Sequence, residues 1–183
     1  MVMFTRRHQT VNEYLAGEES LSRQGLIWGE VLREPAPNYA HQAIVTRAVV
    51  LLSDYAREHR AGLVVVSPLD VVLDEKRALV VQPDVVFISN ERAAILRNQV
   101  WGAPDLVVEV ESPSTRHRDR TAKRAWYRRY GVREYWLIDP IADTVTVVEL
   151  GGARSTRRQF HGQRPVRSAV LPELRVPAAA FFD

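Results

Sequence analysis

The chain has 183 residues, of which 46% are hydrophobic and 26% are charged, a composition typical of one well-cored globular domain and short for two. It contains no cysteine, which excludes a disulfide framework, a thiol nucleophile and a thiolate metal site. The formal net charge of +3 is too small to indicate a nucleic-acid-binding protein by itself. The absence of cysteine fits a reducing cytoplasm, and the charged start and short apolar runs predict no signal peptide and no membrane span.

The first third of the chain combines two helices with a pair of short strands. The segment Thr10–Glu13 matches a capping box, which predicts a short helix to about Ala16. Residues 25–34 alternate in hydropathy around a central glycine, which predicts a hairpin or a short strand pair. Apolar residues then recur at helical spacing from Ala40 to about Arg60, and Gly62 is expected to end this helix.

The middle of the chain is rich in β-branched residues. Strands are predicted over Leu63–Val66, Asp70–Leu73 and Leu79–Ile88. A short helix is predicted over Glu91–Leu96. The next strand, Asp105–Val110, is almost continuously apolar, which indicates a central position covered on both faces.

The last third begins with a basic helix. Ser114 or Thr115 is its expected N-cap, and it should run to about Tyr130. Strands are predicted over Glu134–Ile138 and Thr144–Leu150, followed by a proline-rich tail. The whole succession predicts a single α/β domain with one mixed β-sheet flanked by helices. Its parts are an N-terminal helical segment (1–24), a core (25–150) and C-terminal strands with irregular closure (151–183).

Positive charge is concentrated in two clusters. The basic helix carries Arg116, Arg118, Arg120, Lys123, Arg124, Arg128 and Arg129 against one acid, Asp119. The second cluster consists of Arg154, Arg157, Arg158, Arg164 and Arg167. Phosphate contact is one interpretation, with Arg116, Arg120, Arg124 and Arg128 as nucleic-acid-binding residues; a solvated helix face with a basic hairpin is the equally weighted alternative. Lys123 and Lys76 are the only lysines, so a lysine within an arginine-rich helix suggests a need for a compact ammonium.

Two carboxylates stand out in apolar strands. Glu109 lies inside the most apolar strand, where an unpaired carboxylate would cost several kcal/mol, and Asp84 opens another apolar run directly after Pro83. If their strands are neighbours, the two carboxylates can meet and hold one or two Mg²⁺ or Mn²⁺ ions, to which the carbonyl of Val110 could add a ligand. The alternative is structural: Asp84 caps a turn and Glu109 meets an arginine. Either residue alone favours that alternative, whereas the pair followed by Lys123 favours a site.

Several motifs in order along the chain carry a family resemblance. They are Gln82-Pro-Asp84, Asp105-Leu-Val-Val-Glu109-Val-Glu-Ser-Pro-Ser-Thr115, Asp119-Arg-Thr-Ala-Lys123, Tyr127 and Gly131-Val-Arg-Glu-Tyr-Trp-Leu-Ile-Asp-Pro140. With them, the stretch from about Gly29 to Leu150 resembles the Uma-two family, a set of bacterial proteins within the PD-(D/E)XK nuclease superfamily. The resemblance implies a restriction-endonuclease-like core. It also implies that Asp84 and Glu109 are metal ligands. Lys123 would orient or help to deprotonate the attacking water and steady the developing charge on the phosphate.

The resemblance leaves several supporting residues open. Glu111 occupies the strand position where the standard motif has lysine, and it is expected to be either a third acid of the site or a salt-bridge partner of Lys123. A surface pair with Asp119, four residues earlier, is the alternative explanation of Lys123. Glu30 and His41 would be first-helix residues that face the site, although a histidine at a helix start is more often a cap or a surface residue.

The leading functional hypothesis is a Mg²⁺- or Mn²⁺-dependent endonuclease that hydrolyses DNA by in-line attack of water; RNA is a weaker possibility. The alternative is a non-catalytic nucleic-acid-binding or assembly module on the same fold, which Glu111 and the modest net charge favour. A homodimer is also expected, because Val100-Trp101 and Tyr135-Trp136 offer more aromatic surface than a small monomer leaves exposed. Core packing is the alternative explanation of these aromatic residues.

Overall fold

Two mixed β-sheets form the centre of the computed structural model, which describes residues 8–17, 23–113, 116–152 and 155–183. The strands of these residues are β1 Gln24–Ile27, β2 Glu30–Arg33, β3 Gly62–Val66, β4 Val71–Asp74, β5 Leu79–Val81, β6 Val85–Ser89, β7 Val100–Trp101, β8 Leu106–Val110, β9 Glu134–Asp139, β10 Thr144–Glu149 and β11 Thr156–His161. The α/β class is confirmed. The two expected caps, Ser114 and Thr115, and Arg154 of the second basic cluster lie outside the described residues.

The larger sheet contains β11-β10-β9-β8-β6-β3 in that order, and the smaller contains β2-β1-β5-β4-β7. The prediction of a single sheet was wrong because the run Leu79–Ile88 is not one strand. It divides into β5 and β6, which belong to different sheets, on either side of Pro83. Proline lacks the N–H that a ladder requires, so the chain changes sheets at this point.

Helices flank the two sheets. They are α1 Val11–Leu15, α2 Tyr39–Glu58, α3 Arg116–Arg118 and α4 Arg124–Tyr130, with 3₁₀ turns at Asn90–Ile95 and Ala178–Phe181. The predicted capping box of α1 is present, with Thr10 and Glu13 exchanging hydrogen bonds. A π-helical stretch, Asp119–Lys123, joins α3 to α4, and we call the continuous segment 116–130 the basic helix. None of the helices in the described part of the chain is long and apolar enough to cross a bilayer.

The end of α2 differs from the prediction. The helix stops at Glu58, and Arg60 rather than Gly62 adopts a left-handed conformation, with φ of 49°. Gly62 instead begins β3, where a Cβ atom would lie 2.1 Å from the carbonyl oxygen of Ile88 on the neighbouring β6. This glycine is therefore required by close backbone approach rather than by the helix end.

The core occupies both faces of the larger sheet. On one face α2 packs Ala48 and Leu52 into a cluster with Val108 of β8. On the other face Val107 joins a second cluster that includes Tyr127 of the basic helix. All five residues of β8 are buried, which confirms the central position predicted from its apolar sequence. Glu109 thus lies on a strand whose residues are all buried.

The prediction that two aromatic segments form an exposed surface for a dimer was wrong. Tyr135 and Trp136 are fully buried, and Val100 is 1% exposed, because these residues pack in the core clusters. Trp101 is half-buried beside the small cluster around Val11. The aromatic residues are therefore explained by core packing, and the homodimer stays a prediction without this support.

Candidate active site

The register of β6 and β8 brings two carboxylates together. Val85 pairs with Val108 in antiparallel register, so Asp84, immediately before β6, lies beside Glu109. The backbone N–H of Val110 donates a hydrogen bond to Asp84 Oδ2 at 2.7 Å, which ties the two strand ends together. Each acid is 2% exposed. The arrangement follows from antiparallel pairing, since the start of one strand lies beside the end of its neighbour.

Both acids line one cavity of about 410 Å³. Its polar lining includes the side chains of Arg23, Glu34, His41, Asp84, Glu109, Glu111 and Lys123. The segment 35–38, which leads into α2, and the turn at Pro140 and Ile141 form its other walls. A concave site with a few convergent ionisable groups is the usual form of a small-ligand or catalytic site.

Asp84 is held as a carboxylate. Arg23 Nη1 donates to its Oδ1 at 2.6 Å, and His41 Nε2 lies 3.4 Å from its Oδ2. Burial alone would raise the pKa of Asp84, but the His41 hydrogen bond, the charge of Arg23 and the Val110 N–H hold the pKa below its usual range. The neighbouring carboxylate in turn raises the pKa of His41, against the lowering effect of burial. His41 and Asp84 therefore each favour the charged form of the other.

Glu109 has a different electrostatic environment. Lys123 Nζ donates to its Oε1 at 2.9 Å, and the Tyr127 hydroxyl donates to the same oxygen at 2.8 Å. Burial, with the charges of Asp119 and Asp84, nevertheless raises the pKa of Glu109 to about 7 against the lowering effect of Lys123. Two neighbouring carboxyl groups thus have opposite shifts, a pattern characteristic of functional sites.

Lys123 lies at the end of the π-helical stretch, and it is 3% exposed. Its Nζ contacts Glu109 and also lies 3.1 Å from Asp119 Oδ1, four residues earlier. The pair with Asp119 is present, but it is buried rather than on the surface. Burial would lower the pKa of Lys123, but the two carboxylates raise it above its usual range, so the side chain is an ammonium ion. π-helical turns of this kind are frequent at functional sites.

Glu111 lines the cavity but does not pair with Lys123, contrary to one of its two expected roles. It accepts a bidentate pair of hydrogen bonds from Arg120, at 2.5 and 2.7 Å, and Arg116 lies 3.4 Å away. Asp139 bonds the same two arginines. Because β8 ends at Val110, Glu111 belongs to the following turn, beside the first turn of the basic helix.

Only one of the two predicted first-helix residues lies at the cavity. His41 lies in the first turn of α2, where Asn38 caps the helix by accepting from the His41 backbone N–H at 2.9 Å, and its ring faces Asp84. Glu30 is not on a helix: it begins β2, where it borders a different surface depression with Trp28. The acid that lines the cavity from this part of the chain is Glu34.

The four predicted nucleic-acid-binding arginines have different surroundings. Arg116 and Arg120 are held in the ion pairs with Glu111 and Asp139. Arg124 donates to Ser155 Oγ at 2.9 Å, which links the basic helix to the start of β11. Arg128 is exposed and borders a shallow groove that also contains the side chains of Arg124 and Arg129. Positive charge for a polyanion is thus concentrated at the second half of the basic helix.

Comparisons with known proteins give the family of this chain and a solved structure with a similar fold. The model of the Uma2 family, described as "Putative restriction endonuclease", matches residues 11–179. The chain belongs to the Uma2 family. The fold also matches a crystal structure from Anabaena variabilis ATCC 29413, described as a "putative nuclease belonging to DUF820", with a TM-score of 0.79, 22% identity, and coverage of 95% of this chain and 97% of that one. A search of curated proteins finds no match.

The superfamily that the Uma2 motifs resemble uses a divalent ion, and the donor set of this chain fits one in part. Asp84 and Glu109 are hard oxygen donors that face one cavity, and a single cationic group, the guanidinium of Arg23, already reaches both. Within the described residues, however, no group of three histidine, cysteine or acidic side chains is arranged to hold a metal ion. An ion at this position would therefore depend on two carboxylates, with backbone oxygen or water completing its coordination.

Sequence reasoning missed three residues of this Uma2 site. Arg23 and Glu34 come from either end of the β1–β2 hairpin, and nothing in their local sequence marks them. Asp119 belongs to a family motif but was given no role in the site beyond an ion pair with Lys123, and it is 1% exposed. Asp119, Lys123 and Tyr127 are four residues apart and all buried, so one face of the basic helix carries these three side chains into the interior.

Proposed function

We propose that this Uma2-family protein is a divalent-metal-dependent nuclease that hydrolyses phosphodiester bonds in DNA at the cavity of Asp84 and Glu109. The observation that carries the proposal is the convergence of these two carboxylates with a fully buried ammonium, Lys123, at 2.9 Å from Glu109. Burial of three charged groups is costly, so their retention around one cavity supports a chemical role. The family and neighbour descriptions, which name an endonuclease and a nuclease, agree with this reaction class.

The chain's own residues have separate roles in this proposal. Asp84 and Glu109 hold the divalent ion, which when bound supplies Lewis-acid activation of water and neutralises phosphate charge. Lys123, whose ammonium already contacts Glu109 and Asp119, has one remaining N–H for the attacked phosphate. The two carboxylates keep it an ammonium ion, so the proton of the attacking water passes to bulk solvent and not to Lys123. His41 and the Val110 N–H fix the orientation of Asp84, and Tyr127 fixes that of Glu109.

A non-catalytic module is the second candidate function, and one observation favours it. Arg23, His41 and Lys123 already compensate the two carboxylates without any bound ion. In that case the buried charges would form a structural network that stabilises the junction of β6, β8 and the basic helix. The protein would then bind nucleic acid or assemble through its basic surface without cutting.

The two candidates differ in the effect of Lys123→Met, which keeps most of the side-chain volume and removes the charge. A nuclease should lose at least about 100-fold in cleavage rate, as expected for removal of a donor used in the transition state. Its affinity for DNA should change little, because phosphate attraction is spread over several arginines. The assay should use supercoiled, nicked and single-stranded DNA with Mg²⁺ or Mn²⁺, and binding should be measured in EDTA.

Lys76→Met is the matched control, since Lys76 is exposed in the turn between β4 and β5 and is the other lysine of the chain. It should cleave at the wild-type rate. If wild type cuts no substrate with either metal, and Lys123→Met lowers only thermal stability, the non-catalytic candidate replaces the nuclease.

A further inference from the structure

The four carboxylate oxygens of Asp84 and Glu109 have different partners. Asp84 Oδ2 accepts from the Val110 N–H and faces His41, whereas Glu109 Oε1 accepts from Lys123 and Tyr127. Two oxygens remain, Asp84 Oδ1 and Glu109 Oε2. These are the two oxygens that a shared divalent ion would have to use.

Arg23 contacts both remaining oxygens. Its Nη1 donates to Asp84 Oδ1 at 2.6 Å, and its Nη2 lies 3.9 Å from Glu109 Oε2. Nη2 also donates to the backbone carbonyl of Gln82 at 2.6 Å, and the side chain is 13% exposed. The guanidinium is thus held by oxygens of Asp84 and Gln82 at the position between the two acids.

A guanidinium and a divalent ion cannot both occupy that position. Both would need the same two carboxylate oxygens, and two cations in contact within a buried site repel strongly. Arg23 has an alternative partner in Glu34, whose Oε2 lies 3.7 Å from Nε at the wall of the same cavity. Movement toward Glu34 would free the two oxygens without leaving the arginine unpaired.

We propose that Arg23 is the resident cation of the Asp84–Glu109 site and must leave it before a divalent ion can bind, so that Arg23 sets the metal affinity of the protein. The inference rests on the proposed function in one respect, namely that these two acids are the metal ligands. It adds a competing side chain that the nuclease motif does not contain. Because the metal-accepting conformation is a minor state, wild-type affinity is reduced by the fraction of molecules in which Arg23 has moved.

The test is Mn²⁺ binding, measured by the electron paramagnetic resonance signal of free Mn²⁺ in the absence of DNA. Arg23→Gln should bind Mn²⁺ at least about 10-fold more tightly than wild type, because the competing cation is gone. Arg92→Gln is the matched control: Arg92 pairs with the buried carboxylate of Asp105, which does not line the cavity, and its loss should leave the affinity unchanged. Added Mn²⁺ should also raise the Tm of Arg23→Gln more than that of wild type.

A second variant covers the case in which Arg23→Gln does not fold. Arg23→Lys keeps the buried positive charge but lacks the planar fork of the guanidinium, so it should compete less well for the two carboxylates and show a smaller gain in Mn²⁺ affinity than Arg23→Gln. Equal affinities of wild type and of the folded Arg23 variants would overturn the proposal while leaving the metal site intact. Failure of every variant to bind Mn²⁺ would overturn both this proposal and metal dependence.

Discussion

At the scale of single residues, Glu109 is an ionisable side chain buried within an apolar strand. Burial raises its pKa from 4.5 to about 7. Between these two values the folded chain holds a proton that the unfolded chain has lost. The folded state therefore binds more protons than the unfolded state in this window, and its free energy of unfolding falls as the pH rises from about 4.5 to about 7.

Replacement of Glu109 by glutamine should remove this contribution. In EDTA, the wild-type free energy of unfolding should decrease more steeply between pH 5 and pH 7 than that of Glu109→Gln. Urea denaturation of both proteins at several pH values measures the difference. Asp84 does not affect the comparison in this window. Its pKa is lowered in the folded state, so its contribution to the free energy of unfolding is lost only when the pH falls below its ordinary value of 3.8. Parallel curves for the two proteins would show that Glu109 does not titrate in this window.

At the scale of elements, two glycines end or begin secondary structure for different reasons. Gly131 stops the basic helix with φ of 93°, and no atom lies within 4 Å of the position a Cβ would take. Gly62 begins β3, where the backbone of β6 occupies the space that a Cβ atom would need. Gly131 is therefore needed for its left-handed backbone conformation, whereas Gly62 is needed because paired strands leave no space for a Cβ.

Alanine at each position should separate these costs. Gly131→Ala should lower the free energy of unfolding by about 1 kcal/mol through left-handed strain alone. Gly62→Ala should cost about 3 kcal/mol, because β3 must move away from Ile88. Chemical denaturation of both variants measures the two values. A Gly62→Ala cost no larger than that of Gly131→Ala would mean that β3 and β6 yield easily.

The elements also show what a single sequence could and could not predict. The periodicity of α2, the hairpin at 25–34 and the buried strand β8 were predictable, because each is determined by hydropathy within a short window. The meeting of Asp84 and Glu109 followed from their strands being neighbours. Arg23 was not predictable, since its role depends on how residues 61 positions apart are packed. The division of Leu79–Ile88 between two sheets likewise depends on tertiary pairing.

At the scale of the whole molecule, the distribution of charge matters more than its sum. Arg116 and Arg120 are bound in ion pairs beside the cavity, and Arg120 also borders the groove that Arg124 and Arg128 line on the second half of the basic helix. Because the carboxylates of Glu111 and Asp139 already compensate the charge of Arg120, we expect phosphates to contact Arg124 and Arg128. The carboxylates of the cavity lie on the sheet instead, and Lys123 connects them to the first half of the same helix.

Arg124→Gln with Arg128→Gln should weaken DNA binding and make it less sensitive to salt. The slope of log affinity against log salt should become shallower by about 2, as expected for the loss of two phosphate contacts. Fluorescence anisotropy between 50 and 200 mM salt, a range suited to this effect, measures the slope. The control, Arg57→Gln with Arg60→Gln, removes the same charge at the far end of α2, about 24 Å along the helix axis from His41. Equal slopes for both double variants would indicate nonspecific attraction.

Cleavage of supercoiled plasmid by wild type and by Glu109→Gln tests the account most directly. Glutamine keeps the shape of the side chain and removes the negative charge that the proposed metal centre requires. Wild type should nick the plasmid with Mg²⁺ or Mn²⁺ and not with EDTA, and Glu109→Gln should be slower by at least about 100-fold while remaining folded. Equal cleavage by the two proteins, or cleavage by wild type that persists in EDTA, would contradict a metal-dependent nuclease site at Asp84 and Glu109.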